Sequence, residues 1–217
     1  MGVNWAAGLM RWQPYVEPSG RAYPLNHLHP FRFTLLLPLS SDLGAIDVEL
    51  EVGFSMHTFT RGRHAADSLD SIYIDARERR TFDHERHALS YRLPEIIRNL
   101  SARKCYLARN QNYLCVEVIR TAESLSDYRV FFVLKRLAKD AVSPRPRVRL
   151  IVQSAYETHR SGQGTERPIR FHVLMRRVLG MNPASRKRRP RTNAGPRSPN
   201  LLDIPRQVGT PKGGGTP

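Results

Sequence analysis

Two histidines separated by one residue are the first candidates for chemistry in this chain. His27 and His29 lie just before an apolar stretch. On an extended chain, side chains two residues apart point to the same side, so this pair could share a metal ion. A third ligand would be needed, and His57, Cys105 or an acid within residues 75–85 could supply it. The alternative is that both histidines have surface or packing roles.

A second group of candidates lies in residues 75–86. These twelve residues contain four acids, four arginines and one histidine. A histidine can act as general base or acid near neutral pH, and an arginine can stabilise a pentacovalent phosphate, as in a metal-independent ribonuclease. The acids could instead bind a divalent cation, as many nucleases require. The remaining interpretation is a solvated segment rich in salt bridges. The catalytic hypothesis rests on His57, Arg77, Asp83, Glu85 and Arg86.

Basic residues are in excess along the chain. With 35 Lys+Arg against 19 Asp+Glu, the formal net charge is +16. Such an excess is the electrostatic footprint expected of a protein that binds nucleic acid, RNA or DNA. Aromatic residues lie among the basic ones, but most fall at core-facing positions and do not by themselves indicate a stacking surface. The predicted nucleic-acid-binding residues are Arg129, Lys135, Arg136, Arg147, Arg149, Arg170, Arg186, Lys187, Arg188, Arg189 and Arg191.

The elements that must position these residues are mostly strands. Residues 46–52 alternate apolar and acidic side chains, which predicts a hairpin with the apolar run 31–37 and an extension past a bulge to residue 60. Residues 61–90 show no lasting period. Further predicted elements are a short helix at 90–100, four strands at 104–108, 113–119, 128–134 and 148–156, and a strand turning into a helix at 169–179. The prediction is an α+β domain with a mainly antiparallel sheet and one or two short helices.

Changes in composition predict three regions. Residues 1–24 form an N-terminal extension that packs partly on the domain, residues 25–179 form the domain, and residues 180–217 form a disordered basic tail. The tail has six Gly and seven Pro in 38 residues, too little apolar surface to offset its ordering entropy. No run reaches the ~20 apolar residues of a membrane span. Two cysteines without an extracellular signature favour the cytoplasm, and the absence of a P-loop or GxGxxG motif predicts no cofactor.

Several sequence blocks together resemble a bacterial family found on plasmids and integrative elements. They are the blocks at 54–60, 82–86, 103–106, 128–132, 153–156 and 168–172. Members of that family are sometimes labelled stationary-phase growth adaptation proteins or hypothetical proteins. The resemblance covers residues 26–183 and implies a bacterial cytoplasm and a mobile-element setting, with no established reaction. The second half also loosely resembles small ribonuclease toxins of the RelE and BrnT type at the level of fold.

These observations predict a non-enzymatic, nucleic-acid-associated accessory protein of a bacterial mobile element. One alternative is a ribonuclease or toxin-like enzyme that uses His57 with the segment 75–86. Another is a protein-interaction module whose basic face meets an acidic partner.

Overall fold

The computed structural model describes residues 9–39, 44–108, 112–120, 125–138, 144–159 and 167–181. Its strands are β1 (Tyr15–Val16), β2 (Ala22–Tyr23), β3 (Phe31–Pro38), β4 (Ala45–Phe54), β5 (Thr60–Arg61), β6 (Ile72–Ile74), β7 (Arg79–Phe82), β8 (Lys104–Leu107), β9 (Tyr113–Arg120), β10 (Leu125–Arg136), β11 (Arg147–His159) and β12 (Ile169–Arg170). Its helices are α1 (His84–Ser90), α2 (Leu93–Arg98) and α3 (Phe171–Val178), with 3-10 turns at Asn26–Leu28, Met56–Thr58, Leu69–Ser71 and Leu100–Ala102. The predicted tail lies outside the described residues from residue 182 onward.

A seven-stranded sheet organises the chain, in the order β12-β8-β9-β10-β11-β4-β3. Its strand pairs are antiparallel except β11 and β4, which are parallel. A smaller three-stranded sheet has the order β5-β7-β6, and β1 pairs with β2. The α+β prediction with a mainly antiparallel sheet is confirmed, with three short helices in the described residues.

The predicted first hairpin is present as β3 and β4. Strict alternation on β4 sends Val48, Leu50 and Val52 into the core, where each is 0% exposed. The acids between them therefore point to the opposite side of the sheet, as period-two geometry requires.

The four strands predicted between residues 104 and 156 are present as β8 to β11, and they pair as an antiparallel meander. Cys105 and Cys115 stand directly opposite each other on β8 and β9, and both are free and fully buried. Burial raises the pKa of each thiol to about 12. Both cysteines therefore behave as small apolar core residues.

The two predicted helical regions are also present. Pro94 lies in the first turn of α2, where its missing N–H costs no hydrogen bond. At the end of the described chain, β12 turns into α3 at Phe171, as the mixed strand and helix pattern predicts.

One local prediction is wrong. The strand that was expected to continue to residue 60 ends at Phe54, because the Ser55 side chain accepts a hydrogen bond from the His57 N–H and starts a 3-10 turn. Residues 61–90, which show no lasting period in the sequence and for which no element was predicted, contain β6, β7 and α1. Asp83 caps α1 by accepting a hydrogen bond from the Arg86 N–H. These elements are too short for a periodic pattern to reveal them.

Part of the N-terminal extension belongs to the hydrophobic core. Trp12 is 3% exposed and donates its Nε1–H to the Phe54 carbonyl at 3.1 Å. Tyr15 stacks on Phe82 with ring centroids 4.1 Å apart. Within the described residues, no helix is long and apolar enough to cross a membrane.

Candidate functional site

One side of the meander carries a row of apolar and aromatic side chains that are only half-buried. Cys105, Val130 and Phe132 point into the core, so their neighbours along each strand point the other way. The residues on this opposite side are Tyr106, Leu114, Phe131 and Tyr156, and each is half-buried. We call these four residues the aromatic row.

The strand register places the aromatic row across four adjacent strands. Tyr106 is opposite Leu114, and Leu114 is opposite Phe131. Phe131 and Tyr156 stack with ring centroids 5.5 Å apart and planes inclined by 20°. Further along the same side, Val133 and Ile151 are 4% and 2% exposed, so the open part of this side ends there.

Basic side chains stand beside the aromatic row. Arg129, half-buried, is opposite Tyr156 on β11. Lys104 on β8 is opposite Arg170 on β12, and both are exposed. Like charges directly opposite each other on antiparallel strands repel, so an anion bound near this pair would relieve the repulsion.

Other predicted cations of β10 and β11 are engaged elsewhere along the sheet, in contacts with acids of β4 or with a backbone carbonyl. Arg147 Nε lies 3.3 Å from a carboxylate oxygen of Glu49, and Arg149 Nη2 lies 2.6 Å from one of Glu51. Arg136 donates to the Leu179 carbonyl at 2.9 Å, which ties β10 to the end of α3. Lys135 is exposed on β10. The tail residues Arg186, Lys187, Arg188, Arg189 and Arg191 lie outside the described residues.

A second polar group, which we call the histidine cluster, consists of His57, Glu78, Arg80 and Arg86. His57 Nε2 lies 2.8 Å from Glu78 Oε1, and the two side chains are 38% and 39% exposed. Arg80 on β7 reaches Glu78 Oε2 with Nη1 at 3.6 Å and donates Nε–H to Thr60 Oγ1 at 2.9 Å. The 3-10 turn and β7 thus bring together residues that are 21 positions apart.

Arg86 connects the histidine cluster to the aromatic row. From α1 it donates Nη1–H to the Thr60 carbonyl at 2.8 Å and to the His57 carbonyl at 3.3 Å. Its guanidinium carbon lies 5.3 Å from the ring centroid of Tyr156, a cation–π contact. Tyr156 therefore contacts both groups.

Burial, followed by the charge of Arg80, lowers the pKa of His57. The hydrogen bond and charge of Glu78 act in the opposite direction, and Arg86 adds a smaller lowering effect. His57 is consequently a neutral imidazole at pH 7, which can accept a proton. The cluster therefore combines a neutral base, a carboxylate that orients it and two guanidinium groups.

The other predicted catalytic residues are not members of the histidine cluster, although Asp83 contacts its Arg86. Arg77 forms an ion pair with Asp75. Asp83 caps α1, and its Oδ2 lies 3.8 Å from Arg86 Nε. Glu85 is exposed in the first turn of α1. Among the residues that the structure describes, no group of three or more His, Cys, Asp or Glu side chains could hold a metal ion.

The two histidines of the predicted metal pair have separate partners. His27 Nε2 lies 2.7 Å from Ser90 Oγ, and its ring stacks on Tyr91 with centroids 3.7 Å apart. His29 Nε2 lies 3.2 Å from the Trp12 carbonyl oxygen. Burial, with a smaller effect of His87, lowers the pKa of His27 to about 4. His29 thus joins the N-terminal extension to the domain, whereas His27 joins the turn at Asn26–Leu28 to the end of α1.

Sequence reasoning missed Glu78 and Lys104 and assigned most aromatic residues near the cations to the core. Phe131 and Tyr156 are exceptions: Phe131 lies between buried Val130 and Phe132, and Tyr156 follows buried Ala155, so both rings point away from the core. The pairing of β8, β9 and β10 through Cys105, Cys115 and Val130 shows on which side of the sheet Phe131 lies. The contact between His57 and Glu78 has no local signal.

Fold and site together define an α+β protein with a partly open sheet surface beside a His–Glu–Arg cluster. The chain belongs to the YjaZ family, whose model matches residues 14–179. No curated protein matches the chain, and no solved structure does either. The family match is consistent with the expected uncharacterised bacterial family.

Proposed function

We propose that the chain binds single-stranded nucleic acid on the side of the meander that carries the aromatic row. The carrying observation is the placement of half-buried aromatic side chains beside Lys104, Arg129 and Arg170 on one side of the sheet. Bases of any sequence can stack on such rings, while cations hold the backbone phosphates.

The size of this surface fits a short single-stranded segment. Tyr106 and Tyr156 are three strand spacings apart, which is about 14 Å at ~4.8 Å per spacing. A sheet of this kind takes two or three stacked bases. A duplex keeps its bases stacked internally and would leave the aromatic side chains unused.

The net charge of +16 would speed the encounter with any polyanion. The resemblance noted above adds a setting to the proposal: an accessory protein of a bacterial mobile element, acting in the cytoplasm. Binding of this kind requires no catalytic group.

The test is anisotropy of the full chain with labelled single-stranded RNA, single-stranded DNA and duplex DNA at several salt concentrations. The variant Lys104→Ala/Arg170→Ala removes two cations beside the aromatic row, and Arg63→Ala/Arg79→Ala removes two exposed cations elsewhere. Since each phosphate contact contributes about 0.7 to the salt slope for single strands, the first variant should lower the slope by about 1.4. The control variant should keep the wild-type slope.

Phe131→Leu tests the stacking contribution. Leucine keeps an apolar side chain at the position but removes the ring, and stacking is worth ~1–3 kcal/mol per base. Affinity for single strands should fall at least fivefold, with the melting temperature close to wild type. Equal losses in both double-alanine variants, together with an unchanged Phe131→Leu affinity, would refute the surface proposed here.

A further inference from the structure

We propose that the histidine cluster cleaves RNA held on the aromatic row, by transesterification through the ribose 2′-hydroxyl, with His57 as the base and Arg80 and Arg86 at the phosphate. This inference rests on the proposed binding surface and adds a catalytic activity to it. It replaces the set of five residues expected from sequence with an arrangement that includes Glu78 and Arg80.

The aromatic row and the histidine cluster are continuous with each other. Tyr156 stacks on Phe131 within the aromatic row and contacts the Arg86 guanidinium at 5.3 Å. Arg86 in turn donates to the backbone carbonyl of His57 at 3.3 Å. A strand whose base stacks on Tyr156 therefore brings an adjoining phosphate to the edge of the histidine cluster.

The contact of His57 with Glu78 determines which ring nitrogen carries the proton. Its Nε2 faces Glu78 Oε1 at 2.8 Å. Because a carboxylate accepts and does not donate, the proton of the neutral imidazole resides on Nε2. The lone pair is then on Nδ1, and this nitrogen is the base. Once His57 is protonated, Glu78 stabilises the imidazolium, so Glu78 is a positioning residue.

Arg80 and Arg86 supply positive charge beside His57. Arg80 uses Nε and Nη1 in its contacts with Thr60 and Glu78. Arg86 uses Nη1 for backbone carbonyls, and its Nε lies 3.8 Å from Asp83 Oδ2. A guanidinium has five N–H donors, so the Nη2 group of each arginine can donate to a phosphate oxygen. Arg80 is 17% and Arg86 24% exposed, which places both charges where water screens them weakly.

The 2′-oxygen gives its proton to His57 Nδ1 and forms a bond to phosphorus, and the bond from phosphorus to the 5′-oxygen breaks. The departing 5′-oxygen takes a proton from water, and His57 later returns its proton to solvent. The products are a 2′,3′-cyclic phosphate and a 5′-hydroxyl.

The test uses the full chain in EDTA with an end-labelled RNA oligonucleotide and the same sequence carrying 2′-deoxy sugars. The RNA should be cut to fragments ending in a 2′,3′-cyclic phosphate, and the 2′-deoxy strand should be bound but not cut. Cleavage that needs a divalent cation, or fragments with 5′-phosphate ends, would overturn the mechanism.

His57→Gln is the decisive variant, because glutamine retains a donor toward Glu78 but lacks the base. Loss of a general base should lower the cleavage rate by about 10²-fold or more, with RNA affinity within twofold of wild type. The matched control is His84→Gln: His84 also faces a carboxylate, Glu17 Oε1 at 2.7 Å, but no arginine of the cluster. Its cleavage rate should stay at the wild-type level, and equal rates in the two variants would refute the assignment.

Glu78→Gln separates positioning from mere packing. Glu78 raises the pKa of His57, so its removal should move the acid limb of the pH–rate profile to lower pH and lower the rate. An unmoved profile would exclude this role. RNA that binds but is never cleaved would overturn this inference and leave the binding proposal intact, whereas failure to bind RNA would overturn both.

Discussion

Glu51 should contribute more to stability than any other acid on its strand. Its side chain, 9% exposed, accepts hydrogen bonds from Arg32 Nη2 at 2.9 Å and from Arg149 Nε at 2.8 Å. Arg149 Nη2 approaches the same carboxylate at 2.6 Å. The register explains the convergence, since Arg32 on β3 and Arg149 on β11 are both directly opposite Glu51.

The perturbation is Glu51→Gln, which keeps the shape of the side chain and removes its charge. Removing one partner of a buried ion pair costs about 3–5 kcal/mol. Two features reduce this figure: Arg32 is 59% exposed and can turn to water, and glutamine retains one acceptor. We therefore expect a loss of about 2–3 kcal/mol in the free energy of unfolding.

Glu49→Gln is the matched control on the same strand. Glu49 is 25% exposed and lies 3.3 Å from Arg147 Nε and 3.9 Å from Arg32 Nη1. A partly solvated pair of this kind is worth at most about 1 kcal/mol. The two variants thus remove the same chemical group in environments that differ in burial.

Urea denaturation of the full chain, followed by circular dichroism at pH 7, measures both losses. Burial alone would raise the pKa of Glu51, but the two arginines outweigh it and hold that pKa below its usual value. Its contribution is therefore present above the unfolded-state pKa and is lost as the pH falls through the folded-state pKa. The difference between wild type and Glu51→Gln should shrink below about pH 4.5. Losses of equal size for Glu51→Gln and Glu49→Gln at pH 7 would refute the reasoning.

Two further predictions concern buried polar groups. The buried Tyr128 hydroxyl has no hydrogen-bond partner among the residues that the structure describes, whereas the Tyr73 hydroxyl donates to the Gln13 carbonyl at 2.9 Å. In urea denaturation, Tyr128→Phe should therefore be neutral or stabilising, and Tyr73→Phe should cost about 1 kcal/mol. The reverse order would contradict this account. The pKa of His27 falls to about 4 on folding, so the unfolded chain binds more protons than the folded chain between about pH 4 and 6.5. The free energy of unfolding should therefore rise with pH across that window, and His27 should contribute at most ~3 kcal/mol to the rise. His27→Gln should flatten that slope in urea titrations at a series of pH values, and an unchanged slope would show that His27 does not carry it.

Elements of the fold that depend on local sequence patterns could be predicted, whereas elements that depend on single side-chain contacts could not. The alternation at residues 46–52 and the proline at 94 are local signals, and the strand and helix they predict are present. The turn at Met56–Thr58 depends on one serine hydroxyl, and α1 on one aspartate cap. Such single hydrogen bonds leave no periodic pattern, which is why both elements were missed.

The candidate site shows the same limit. His57 and Arg86 were selected from residue type alone, and both lie in the histidine cluster. Glu78 and Tyr156 complete the contacts of these residues but were not distinguished from neighbouring acids and aromatics. Arg149 was assigned to nucleic acid, yet it contacts Glu51, a partner 98 residues away.

The sequence by itself determined which strands have one apolar face, that the chain carries a large positive charge, and that an α+β fold must bury the apolar faces. These properties depend on side-chain type and on spacing between near neighbours. Only the tertiary structure decided that β11 lies parallel to β4 and that α1 brings Arg86 to Tyr156. Those pairings join segments that are distant in the sequence. The burial and charge contacts that stabilise them exist only once the sheet has formed.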